Sequence, residues 1–145
     1  MRMKKLACGL AGAVLLSVAA GARAESGYPD LTGIWVGKTT SLTRGRTDHY
    51  DQARNDEPVF REASWTLTVD HQEGNRFTAE RGLTEGKRRD PIVGIIRADR
   101  KSVLMVDDDG TFYGTINGPD AMEVCRTEVT PADQIVSCAE YSRKK

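Results

Sequence analysis

Few side chains in this sequence have both the chemistry and the neighbours to act on a substrate. Histidine occurs twice, as His49 and His71, with no His-Glu-x-x-His pair and no glycine-rich phosphate cradle. Solvated loop positions explain both, and no metal is expected. Asp107-Asp108-Asp109-Gly110 aligns three carboxylates, but an EF-hand loop starting at Asp107 needs a closing glutamate where Gly118 stands. A tight turn explains the run instead. The serines have no histidine close in sequence and no nucleophile elbow. Paired carboxylates fall on loops with no sign of burial. These observations predict no catalytic residue and no cofactor, which turns attention to binding and to the elements that would position it.

The chain has 145 residues with 21 basic and 21 acidic side chains. Residues 1–24 read as a secretory leader: a charged start through Lys5, an apolar stretch from Leu6 to Ala20, and small residues at Ala22 and Ala24. Removing them takes away Arg2, Lys4, Lys5 and Arg23 and no acid, leaving a net charge of −4 on 25–145. That balance argues against a nucleic-acid partner, and no further apolar run is long enough to span a membrane. The expectation is an exported protein, periplasmic or secreted, with one domain over 25–145. Cys8 leaves with the leader. Cys125 and Cys138 remain, an even count that in an exported chain points to a disulfide.

Apolar residues in the mature part recur at period two between turn signals, and no helix is convincing. The alternation predicts eight strands: Leu31–Thr40, Ser64–His71, Arg76–Gly82, Ile92–Ala98, Val103–Val106, Thr111–Ile116, Ala121–Val129 and Gln134–Arg143. The nearly unbroken apolar run of the fourth reads as a strand covered on both faces. Short connections throughout describe an all-β, antiparallel up-and-down barrel; a two-sheet sandwich would need longer crossovers. Two links are long, Ser41–Ala63 and Leu83–Pro91. Strand alternation puts both on one rim, with Arg44, Arg46, His49, Lys87, Arg88 and Arg89, opposite a base of tight turns.

Pairing Cys125 with Cys138 sets the register of the last hairpin. Met122 then faces Tyr141, Val124 faces Ala139 and Arg126 faces Ser137, while the disulfide lies on the other face beside Glu123 and Glu140. Arg126 therefore points inward, where it must meet an acid such as Glu128 or Glu80, or a ligand anion. Arg126, Tyr141 and Trp65 are the candidate ligand-binding residues.

Asp30-Leu31-Thr32-Gly33-Ile34-Trp35, opening the first of eight strands, resembles the avidins, and Gly-x-Trp at that place is similar to the lipocalins. The resemblance implies a calycin-like barrel in which Trp35 packs at the closed base beside Arg143 of the last strand, a favourable cation–π arrangement. Val36-Gly37-Lys38-Thr39 stands where avidins place polar biotin contacts, so no ligand residue is carried over. The resulting expectation is a non-catalytic barrel that binds a small, partly apolar and acidic molecule. The alternative is an exported protein-binding module, such as a hydrolase inhibitor, acting through the 41–58 loop.

Overall fold

The computed structural model describes residues 27–45 and 57–145. The leader, its cleavage point, Cys8, Arg46 and His49 lie outside the described residues. Eight strands run in chain order: β1 (Gly33–Gly45), β2 (Val59–Glu73), β3 (Arg76–Leu83), β4 (Asp90–Ile96), β5 (Ser102–Val106), β6 (Thr111–Gly118), β7 (Ala121–Val129) and β8 (Asp133–Arg143). Each is antiparallel to the next, and β1 also pairs with β8, so the sheet closes into a barrel. Closure satisfies the edges that an open meander would leave to solvent.

All eight expected strands form, but β1 and β2 are longer than hydrophobic alternation indicated. Ser41–Gly45 and Val59–Ala63, expected as loop, are paired strand. In β1 the inward residues there are Ser41 and Thr43, both buried. A buried face built of hydroxyls carries no apolar period, which is why the pattern ended early. Arg44 consequently sits exposed on β1 rather than in the loop. The fourth strand also differs. Val93 is 59 % and Ile95 39 % exposed, because a single-layered barrel has nothing to cover its outer face.

The base is tied by the segment before β1. Leu31 and Trp35 are buried, and the Trp35 indole N–H donates to the Leu31 carbonyl at 2.8 Å. The Arg143 guanidinium lies 4.2 Å from the Trp35 ring centroid and donates to the carbonyls of Thr32, Asp30 and Pro119. Gln72 accepts from the Leu31 N–H and donates to the Pro29 carbonyl. Trp35 and Arg143 thus lie together at this end of the barrel. Above them Leu67, Phe77, Ile92, Ile96, Met105 and Met122 fill the lower barrel.

Cys125 and Cys138 are Cα partners in the β7–β8 ladder and form a disulfide. Met122↔Tyr141, Val124↔Ala139 and Arg126↔Ser137 pair as the register required. Glu123 and Glu140, beside the disulfide, are exposed, so the link staples the outer wall.

Candidate binding site in the upper barrel

Toward the mouth the inner wall changes character. Trp65, Arg81, Phe112, Arg126 and Tyr141 are all buried there, together with Thr39, Ser41, Thr43 and Ser137. Gly37 explains how two large rings share one level. It pairs with Trp65 on one side and Tyr141 on the other. A Cβ on Gly37 would lie 3.0 Å from Tyr141 Cδ1 and 2.8 Å from the Glu140 carbonyl oxygen. Only a residue without a side chain lets the tyrosine ring lie across β1 at this height.

Arg81 reaches inward from β3. Its guanidinium stacks 3.8 Å from the Trp65 ring centroid and sits 5.3 Å from that of Phe112, while Nε donates to the Tyr141 hydroxyl at 3.2 Å. Arg126 approaches the same phenyl ring, at 5.5 Å. Trp65, Arg81, Phe112 and Arg126 therefore form a ladder across the barrel, alternating aromatic ring and cation. Stacking of this kind contributes about 0.5–2 kcal/mol per contact when desolvated.

The two arginines differ in their company. Arg126 Nη1 donates to Glu128 at 2.5 Å, Nη2 donates to Asp109, and Nε lies 3.4 Å from an Asp107 oxygen. Burial works against the Arg126 charge, but the carboxylates of Asp107, Glu128 and Asp109 outweigh it and hold its pKa above the usual arginine value. Gly110 leaves room for this arrangement, since a Cβ there would fall 2.7 Å from Arg126 Nε. The triple-aspartate turn is thus more than a turn. Asp107 accepts from the Gly110 N–H at 2.6 Å, and its side chain is buried. Expecting loop carboxylates to show no burial was wrong for Asp107, because the neighbouring cation offsets its loss of water, whereas Glu128 is the partner of Arg126 that the register allowed. Glu80, the other proposed partner, is exposed on the outer face. Arg81, by contrast, has no carboxylate within 4 Å among the described residues.

Among the described residues, Thr39 Oγ1, Thr43 Oγ1 and Trp65 Nε1 are buried here without a hydrogen-bond partner, as are the Nε atoms of Arg61 and Arg126, two residues that make other contacts. Thr39 pairs across the sheet with Ala63 and Ala139, and Ser41 with Ser137. These stretches of β1 and β8 therefore present small side chains beside the bulky ladder, with Arg61 of β2 next to Ser41. Small residues with unmet donors and acceptors make this part of the inner wall polar.

The basic rim is less available than its sequence suggested. Arg88 binds Asp90 at 2.7 Å, and Arg89 donates back to the carbonyls of Leu83, Gly86 and Arg88, closing its own loop. Arg126, Trp65 and Tyr141 do come together inside the barrel. Sequence reasoning missed Arg81 and Thr39. The alternation Phe77, Ala79, Arg81 placed Arg81 on the inner face of β3, and that signal was legible.

No family model and no curated protein matches the chain. Among solved structures, a redesigned beta barrel is similar at 10 % identity, covering 79 % of this chain and 92 % of its own, with a TM-score of 0.44. The S-type phycobiliprotein lyase CPES from Guillardia theta is similar at 10 % identity, covering 79 % of this chain and 89 % of its own, with a TM-score of 0.36. The functional argument therefore rests on this chain's own residues.

Proposed function

We propose that the protein is an exported, non-catalytic barrel that binds a small molecule in the polar upper half of its interior. The carrying observation is the set of unpartnered buried atoms, Thr39 Oγ1, Thr43 Oγ1 and Trp65 Nε1. Leaving a buried polar atom unpaired costs about 1–3 kcal/mol. Valine at Thr39 and Thr43 would avoid that cost, so the hydroxyls are accounted for by something that enters and bonds to them. Export is supported by the leader pattern of residues 1–24 and by the disulfide, which persists in an oxidising compartment. Native mass spectrometry of protein purified from an exporting host tests both halves. A chain lacking residues 1–24, carrying a stoichiometric small molecule that denaturation releases, is the expected result. A ligand-free chain whose melting temperature no small molecule raises would refute the binding reading, and an intact Met1 would refute cleavage.

A second reading, a protein-binding module, draws on a different face. Val93, Ile95, Leu104, Val106 and Tyr113 expose apolar surface on the outer wall of β4–β6. A groove of about 520 Å³ runs beside them, lined by Thr78, Val93, Ile95, Leu104 and Val106 among others. Exposed apolar patches on soluble barrels commonly mark contact surfaces. Pull-down of a defined protein partner that is lost on Val93→Glu, with small-molecule binding unaffected, would favour this reading over the first.

A further inference from the structure

The chemistry of the upper interior adds one step, resting on the reading that the interior is the binding site. We infer that Arg81 is its anchor and that the ligand is a small organic monocarboxylate with a slender apolar body.

Three observations carry this. First, Arg81 is a buried cation that no carboxylate of the described residues neutralises. Burying a charge without an opposite charge is costly, and ring faces and one hydroxyl recover only part of that cost. The other inward cation of the ladder, Arg126, is met by Glu128, Asp107 and Asp109. One uncompensated positive charge calls for one negative charge. Second, the guanidinium is already oriented. Trp65 holds its face and Tyr141 occupies Nε, which leaves the Nη edge for an acceptor. A planar fork of N–H groups matches the two coplanar oxygens of a carboxylate. Third, the surroundings select against larger anions. Asp107 and Asp109 are shared with Arg126, and Asp108 beside them adds negative charge at this rim that opposes a multiply charged anion more than a singly charged one. The body of the ligand lies along the small-residue wall, where the unpartnered Thr39 Oγ1 and Trp65 Nε1 take any further polar atom.

The test uses two fluorescent probes of one shape, 2-naphthoate and its neutral analogue 2-naphthamide, with inorganic phosphate as competitor. Affinities come from isothermal titration. Location comes from the indole N–H resonances, since the protein has two tryptophans. The Trp35 N–H is bonded to the Leu31 carbonyl at the base, whereas that of Trp65 has no partner. Wild-type protein should bind the acid about tenfold or more tighter than the amide, with the Trp65 resonance moving, that of Trp35 still, and phosphate not competing. Arg81→Gln should erase the preference for the acid. Tyr141→Phe, which frees the guanidinium to turn, should reduce it while leaving amide binding in place. If Arg81→Gln does not fold, Arg81→Lys replaces it. That variant keeps the charge, loses the fork, and should weaken acid binding alone.

Equal binding of acid and amide, or a preference that survives in folded Arg81→Gln, overturns the anchor and leaves interior binding intact, provided the Trp65 resonance still moves. Competition by phosphate overturns the monocarboxylate class in favour of a general anion site. Acid binding that leaves Trp65 unmoved places the ligand elsewhere and defeats both readings. Binding of neither probe overturns the ligand class, and native mass spectrometry then decides interior binding by itself.

Discussion

Replacing Arg126 by methionine keeps much of the side-chain volume and removes the charge, so its consequence can be worked from the geometry. The Arg126 side chain is 5 % exposed, those of Glu128 and Asp107 3 % each, and that of Asp109 31 %. Asp109 can turn into water and recover its hydration, so it contributes little. Glu128 and Asp107 cannot. Breaking a buried ion pair by removing one partner costs about 3–5 kcal/mol. At about 4 °C per kcal/mol for a domain of this size, melting should fall by roughly 12–20 °C. Two controls test the cause. The double variant Arg126→Met/Glu128→Gln should recover part of the loss, because the uncompensated charge is removed with its partner. Arg126→Lys, which keeps a cation beside Glu128 and Asp107, should lose less than Arg126→Met. Thermal melts followed by circular dichroism read all of this. A variant as stable as wild type would refute the reasoning, since it would mean that the guanidinium faces water. A loss that the double variant leaves undiminished would assign the cost to packing against Phe112 instead.

Trp35→Ala empties the closed base and should destabilise by about 3–5 kcal/mol in denaturant unfolding; a small loss would mean the base is not a packed unit. Reducing Cys125–Cys138, or replacing both by serine, should cost about 3 kcal/mol on the chain-entropy model, and intact-mass analysis of the oxidised chain should find no free thiol among these two. Asp99 accepts from the Ser102 hydroxyl, the Ser102 N–H and the Lys101 N–H, in that order of influence, and its pKa is lowered to about 2. A depressed carboxylate contributes stability that is complete above its unfolded pKa and is lost as pH falls through the folded value. The Ser102 amide should therefore hold its shift down to about pH 3 and change only near pH 2; a transition near pH 4 would show that these bonds do not form in solution.

What could be read in advance divides by the kind of signal. Eight strands and their order followed from period-two alternation and turn chemistry, because both are local, and the register of the last hairpin followed from pairing Cys125 with Cys138. The upper half of the barrel was harder to read. Its inner wall is polar, so the rule that inward means apolar ended β1 at Thr40 and hid Ser41 and Thr43. Arg126 was placed inward by the disulfide register, but its partners Asp107 and Asp109 come from the β5–β6 turn, and no sequence distance announces that a turn folds over a neighbouring strand. Arg81 had an inward position in the alternation, yet nothing local distinguishes an arginine stacked on tryptophan from one that reaches solvent.

The ladder between β1 and β8 joins the two ends of the described chain, and it gives the molecule an unusual dependence on its own completeness. Trp35 lies beside Arg143, so the tie that seals the base spans nearly the whole polypeptide. A chain that has emerged only as far as β7 has two unpaired margins and an open floor. Contacts so distant in sequence form late and slowly. Strands β2 to β7 therefore cannot seal the floor by themselves, and a chain cut before Arg143 loses the clasp rather than a loose end.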